Sequence, residues 1–469
     1  MSGWRPPADL PDLRRVGIIA LDTETFDEGL REDRGSAWPW RGGYICGLSV
    51  ARRDDSGIRA HYLPLRHPDS ENFPRENVAR WLKDLLASGV RIVTQNGLYD
   101  WGWLLADLDL RMPPAERLEE IGALATLVDE NRFKYSLNAL CQWRGLPGKD
   151  ETALLAGITA LGLHTGKRKK LVSQNYIYNL PAGYVGPYAE ADAINTLALF
   201  ESLDPLLDQE GTRDAYRLEV DLLPMVHAMR KRGIRVDQSA AEQARDNCLQ
   251  KRDRALAKLS EQLGTPTGME EIASRKWLEQ TFDAQHINYP RTAKGNPSFK
   301  AGKTGWMATY SHWLPQLIAT ANKYNAAGSK FLEGHILAHL IGDRVCAEIN
   351  PHRSEDGGTR SFRFSYSNPP LQQMPSRDKD LGPPAAYSCL RMVKPGARLT
   401  ARSRNFASSC IMPSSATCPA PRKRPSATAT IQIRTFTPSP ARSPASRATT
   451  PRVSTLPKST ARARRSLPK

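Results

Sequence analysis

Four carboxylates and one phenol in this chain stand where they could gather divalent cations. Asp22 and Glu24 close the run VGIIALDTE (16–24). On a strand, residues two apart point to the same face, so both carboxylates would leave the strand end together. Asp100 lies in QNGLYDWGWL (95–104), directly after the run RIVTQ (91–95). Tyr188 and Asp192 fall in YAEADAINTLALF (188–200), four residues apart and hence on one face of a helix. Hard cations such as Mg2+ and Mn2+ prefer oxygen ligands. Two such ions about 3.5–4 Å apart form the arrangement that hydrolyses phosphodiesters. The predicted chemistry is two-metal hydrolysis with Mg2+ or Mn2+ as cofactor. Asp22, Glu24, Asp100 and Asp192 would be the ligands, with Tyr188 beside the attacking water. Any one of these residues alone has a plainer explanation as a strand-end cap, a solvated carboxylate or a core aromatic. Together, each on a fitting element, they make a candidate metal site.

The elements that must position them are legible in the apolar pattern. Runs at 16–21 (VGIIAL), 44–50 (YICGLSV), 59–65 (RAHYLPL) and 91–95 predict strands, and ENVARWLKDLLAS (76–88) predicts an amphipathic helix. Such alternation implies an α/β layer around a mixed sheet. From Pro114 to about Glu210 the spacing of Leu and Ala predicts mainly helix. The basic loop HTGKRKKLVSQN (164–175) interrupts it, and Lys167, Arg168, Lys169 and Lys170 could there meet phosphates. EVDLLPMVHAMRKRGIRVD (219–237) predicts a long helix stopped at Gly233, then a short strand. Helices at roughly 239–263, 273–283 and 313–340 follow, with a polar loop at 291–300.

The chain has 469 residues, room for two or three domains. A net charge of +17 suggests nucleic-acid binding until its location is noted. The 17 Lys and Arg after Asp380 carry all of it, and that segment holds no Asp or Glu. It is also rich in Ser, Thr, Ala and Pro, a composition that predicts disorder. No run reaches the roughly 20 apolar residues of a membrane helix. No basic-flanked apolar leader opens the chain, and the seven cysteines form no CxxC pair. These features predict a reduced, cytoplasmic protein with no membrane partner and no thiolate metal site.

The three carboxylate segments resemble, in order, the motifs of the DEDD exonuclease superfamily. The tyrosine four residues before the last aspartate resembles the branch found in proofreading domains of DNA polymerases. That resemblance implies an RNase H-like α/β fold over residues 1–210, removal of nucleotides from a single-stranded DNA 3′ end, and a contact from Asn96 to the substrate or to the metal-ligating residues. The family usually has phenylalanine where Tyr99 stands. Residues 211–380 resemble the thumb and the start of the palm in family A DNA polymerases. The segments that carry this are 218–237, SRKWLEQTF (274–282), TAKGNPSFK (292–300) and NKYNAAGSKFLEGH (322–335). GGTRSFRFSYSNPPLQQMPSRD (357–378) is similar to the family's T-x-R-x-S-x-x-x-P-N-L-Q motif, with Pro370 in place of the usual asparagine. This implies primer–template contacts for Arg363, Ser365, Gln372 and Gln373. The family implies a DNA replication or repair protein of a phage or bacterium, expected as a monomer. The resemblance ends near Asp380, and 381–469 offers no carboxylate for the metals of nucleotidyl transfer. That tail is expected to be a basic disordered arm or, preferentially, an out-of-frame translation, so no polymerase active site is expected. A truncated copy of a DNA polymerase and a non-catalytic DNA-binding fragment are the alternatives to a working exonuclease.

Overall fold

The strongest apolar run builds the central strand of a five-stranded sheet. In a computed structural model, which describes residues 3–164, 172–300, 305–354, 357–375 and the backbone of 390–391, this is β1 (Ile18–Asp27). It pairs antiparallel with β2 (Gly43–Asp54) and parallel with β4 (Arg91–Thr94). β3 (Gly57–Pro64) joins β2 antiparallel and β5 (Leu118–Glu120) joins β4 parallel, giving the order β3-β2-β1-β4-β5. The expected mixed sheet is present, with two corrections. β1 continues to Asp27, with a register shift between Glu24 and Thr25. Asp22 and Glu24 therefore stand inside the strand, where pairing with Ser49 and Gly47 carries the ladder past them. β5 lies in the stretch read as mainly helical. Leu-Glu-Glu has no alternation to read, and only pairing with β4 makes it a strand.

α1 (Glu28–Arg31) is a single turn capped by Asp27, whose carboxylate accepts the N–H groups of Gly29 and Leu30. α2 (Arg75–Ala87), α3 (Gly97–Leu108), α4 (Ile121–Val128), α5 (Leu137–Arg144), α6 (Thr152–Ala160) and α7 (Ala182–Gln209) complete the layers around the sheet. The core joins Ile19, Leu21, Leu48 and Val93 of the sheet to Trp101, Trp103 and Leu104 of α3 and Leu197 and Leu203 of α7. α8 (Arg213–Arg232) adds Tyr216, Val220 and Leu223 to the same core. The helix expected to open the second region thus packs on the first. It stops at Gly233 as its sequence predicts, and β6 (Ile234–Val236) follows.

Beyond β6 come α9 (Gln238–Leu263), α10 (Met269–Ala273), α11 (Arg275–Ala284) and α12 (Trp313–Asn325), the last continuing as π-type helix over Ala326–Ile336. Two smaller apolar clusters hold them together. β7 (Leu340–Ile341), β8 (Arg344–Val345) and β11 (Leu390–Arg391) form a second sheet with β6, in the order β11-β6-β8-β7. β9 (Glu348–Asn350) pairs with β10 (Ser365–Ser367). β11 falls in the segment expected to be disordered, and at those two residues the expectation does not hold. The local run YSCLRMV (387–393) contains strand formers, and its Leu390 and Arg391 pair with Val236 and Arg235. The rest of 381–469 and the basic run 167–170 lie outside the described residues. Among the described residues, no helix is long and apolar enough to cross a membrane.

Candidate active site

Asp22, Glu24, Asn96, Asp100, Tyr188 and Asp192 line one cavity of about 340 Å3. Asp22, Glu24 and Asp192 offer ligand oxygens that all lie within 4.8 Å of one another. Asp100 stands beside this cluster. Its Oδ1 accepts the Thr23 N–H at 3.0 Å and the Thr23 hydroxyl at 2.7 Å, between the two β1 carboxylates. Tyr188 and Asp192 share a face of α7, as their spacing requires.

The turn from β4 into α3 is shaped by a buried carboxylate that the sequence did not single out. Glu120 of β5 accepts the N–H of Asn96 (2.8 Å) and of Gly97 (2.8 Å), and also that of Gly122 (3.1 Å). This holds Asn96 in the left-handed conformation (φ 65°) and starts α3 at the angle that brings Asp100 to Thr23. A Cβ on Gly97 would lie 2.1 Å from the Thr94 hydroxyl, so the turn requires glycine there. Tyr99, the departure from the family pattern, places its hydroxyl 2.6 Å from that of Thr25. The extra oxygen is thereby accommodated in a partly buried position.

Lys149 is the other residue that sequence reasoning missed. Its Nζ donates to Asp192 Oδ2 at 2.8 Å and to the Tyr188 hydroxyl at 2.9 Å. Asn195, one turn along α7, donates to the Gly148 carbonyl at 2.7 Å and so fixes the loop that carries Lys149. Nothing in GLPGKDET (145–152) marks this lysine, because its partners lie about 40 positions away and meet it only through the packing of α7.

The charges of the site are poorly satisfied by protein alone. Asp22 is partly exposed by surface area, yet it sits among protein atoms that push its carboxyl up to about 7 by desolvation, with repulsion from Asp192 added. Glu24 and Asp100 are raised well above the usual carboxylate range by burial and then by neighbouring carboxylates. Asp192 is also raised by burial, although Lys149 opposes the shift. Burial would lower the Lys149 ammonium, but Tyr188 and Asp192 outweigh it and hold the proton on. Asp192 Oδ1 is buried with no hydrogen-bond partner among the described residues. Clustered hard oxygen donors, unfavourable negative charge and a buried orphan oxygen together fit a divalent cation.

The structure does not bring Arg363, Ser365, Gln372 or Gln373 to this cavity. Arg363 is exposed, and its backbone N–H binds the Thr359 hydroxyl. Ser365 accepts the Gly358 N–H at 2.9 Å. Gln372 folds back on its own segment, bonding the Tyr366 N–H and the Phe364 carbonyl. Gln373 is exposed. The second region reaches the cavity instead through Glu348–His352, Ser354 and Arg230.

No family model matches the sequence. The chain is 27% identical over 388 residues to a DNA-directed DNA polymerase of Pseudomonas phage M6, covering 81% of this chain and 56% of that protein. It is 30% identical over 393 residues to the DNA polymerase DpoZ of Vibrio phage phiVC8, covering 78% and 57%. Its fold is similar to the POL domain of Pol1 from M. smegmatis, solved in complex with DNA primer-template and dNTP (TM-score 0.52, 16% identity, 78% of this chain and 54% of that one). The chain is thus similar to DNA polymerases, the class its motifs resemble. The relatives matched along most of its length include phage DNA polymerases, and the chain spans about half the length of the curated relatives it matches.

Proposed function

We propose that the cavity is a metal-dependent 3′–5′ exonuclease site acting on DNA. The observation that carries this reading is the meeting of Asp22, Glu24 and Asp192 around the unpartnered Oδ1 of Asp192. Asp22, Glu24, Asp192 and, beside them, Asp100 would hold Mg2+ or Mn2+, which when bound supplies Lewis-acid stabilisation of phosphate charge and a more acidic water. Tyr188 keeps its phenolic proton, because burial and the neighbouring Glu24 raise it well above its ordinary value. Its hydroxyl can therefore orient a water by hydrogen bonding without itself acting as a base. Lys149 fixes Tyr188 and Asp192 against each other and offsets one negative charge near the phosphate. Asn96, which also lines the cavity, would meet the substrate.

The sheet order, with antiparallel β3-β2-β1 extended by parallel β4 and β5, supports an RNase H-like assignment for the first region. The core it shares with α8 supports an end of that region nearer Leu223 than residue 210. DNA as substrate is supported by the polymerase relatives. A second reading, favoured by the same relatives and by the motif at 357–378, is that the chain is part of a DNA-directed DNA polymerase. The test is a 5′-labelled primer–template with Mg2+, with and without nucleotides, beside Asp22→Ala. Shortening that the substitution abolishes is the expected result. Extension would favour the second reading. Binding without either reaction would reduce the chain to a DNA-binding fragment and overturn the exonuclease assignment.

A further inference from the structure

Across much of the described surface, arginines are matched by carboxylates, as in Arg53–Glu201, Arg66–Asp107, Arg213–Asp208 and Arg245–Glu333. One face beside the cavity departs from this. The loop between α4 and α5 presents Phe133 with 83% of its surface exposed. The Arg360 guanidinium lies 5.6 Å from the centre of that ring. On the same loop Arg132 sits 4.2 Å over Trp143, whose other neighbour is Arg144 at 5.5 Å. Arg132 and Arg353 both lie within electrostatic reach of the Tyr135 hydroxyl. Among the described residues none of these arginines, nor Lys134, makes an ion pair. The Nε atoms of Arg132 and Arg353 are buried without a hydrogen-bond partner. The nearby acids are otherwise engaged. Asp129 accepts the Asn131 N–H and Glu130 the Asn131 side-chain amide.

This face is continuous with the cavity. Gln95 lines the cavity and donates to the Tyr135 carbonyl at 3.1 Å, so the aromatic loop is tied to the rim. Arg353 lies between His352 and Ser354, both of which line the cavity. An exposed ring flanked by unneutralised guanidinium groups suits a base stacked on the aromatic face with its phosphates beside the cations. A folded protein partner would need acidic groups and an apolar surface matched to one isolated ring. A single strand needs only the alternation of ring and charge that is present.

We propose that Phe133, Arg360, Arg132 and Arg353 form a single-stranded DNA platform that holds the strand leading to the carboxylate cavity. The proposal rests on the exonuclease reading for its direction, but its binding test does not require hydrolysis. A fluorescein-labelled oligothymidylate is titrated by anisotropy into the full chain in EDTA, at several salt concentrations. Phe133→Ala weakens binding about tenfold and Phe133→Trp restores it, as expected for one stacked base. Arg360→Ala lowers the slope of log affinity against log salt by about 0.7, one phosphate contact on a single strand. Melting temperatures of the variants stay within a few degrees of the parent, because Phe133 and Arg360 are exposed.

Unchanged oligonucleotide affinity in both alanine variants overturns the platform, including the case in which the face serves a protein partner. Hydrolysis in Mg2+ is measured separately on the parent and on Asp22→Ala. If the parent hydrolyses DNA but binding ignores Phe133, the platform falls and the exonuclease stands. If binding depends on Phe133 and no hydrolysis occurs, the platform stands and the exonuclease reading falls.

Discussion

Lys149 contacts two residues with opposite demands, which gives its removal two opposite effects. It holds the Tyr188 hydroxyl where a water could be oriented, and it neutralises part of Asp192. On the exonuclease reading, Lys149→Met should slow DNA hydrolysis by about 10- to 100-fold, the usual cost of losing a group that orients metal ligands. The same substitution should tighten Mn2+ binding in calorimetry, because one competing cation has been removed. Equal or weaker metal binding with normal turnover would show that Lys149 is only a structural ion pair. The carboxylates make a second prediction. A group whose folded pKa lies above its unfolded value binds protons more tightly when folded, so stability is present at low pH and lost as pH rises. Asp22 moves from 3.8 to about 7, so the metal-free protein should lose melting temperature steadily between about pH 4 and pH 7. Mg2+ or Mn2+ should raise the melting temperature more at pH 8 than at pH 5.5. A flat profile in EDTA would contradict the electrostatic account of the site.

At the scale of elements, α3 decides where Asp100 goes, and its placement depends on close approaches. Gly102 faces the Trp38 indole, and a Cβ there would lie 2.4 Å from ring atoms. Trp38 cannot retreat, since it is buried and stacked on His227 with ring centres 4.6 Å apart. Gly102→Ala should therefore destabilise the chain by about 1–3 kcal/mol in urea unfolding, the range for overpacking a filled core. A neutral result would mean that α3 can shift, and Asp100 with it. β5 shows the same dependence from the other side. Its Glu119 bonds the Tyr216 hydroxyl at 2.8 Å and ion-pairs with Arg217, so α8 clamps the strand whose Glu120 shapes the turn that carries Asn96.

For the whole molecule, a buried ion pair of the second region is fastened to Ser36 of the first. Arg230 of α8 bonds Glu348 of β9 at 3.0 Å and the Ser36 carbonyl at 3.1 Å. Glu348 also accepts the Ser36 N–H and the Asn368 side-chain amide. These contacts tie the segment resembling a polymerase motif to the rim of the carboxylate cavity. Arg230→Met strands Glu348 and should cost about 3–5 kcal/mol, whereas Arg230→Met with Glu348→Leu should recover much of that loss. Chemical denaturation of the three proteins checks this. Failure of the double variant to recover would mean that Ser36 and Asn368 matter more than the pair itself.

The sequence alone determined what depends on local pattern. An apolar run before Asp22, a helical spacing from Tyr188 to Asp192 and a strand before Asp100 each follow from a few neighbouring residues. They were enough to name five residues that share one cavity and most of the elements that carry them. The family relation was legible for the same reason, since its motifs are contiguous. Tertiary structure alone decided the rest. Glu120, Lys149 and Arg230 act through partners 24, 39 to 43 and 118 positions away, and no local rule selects one buried glutamate or lysine among many. The same holds for β5, a strand only because β4 lies beside it, and for Gln372, whose polar groups close its own turn and not the cavity. Charge and hydrogen-bonding capacity are written in the chain, but folding decides which groups meet.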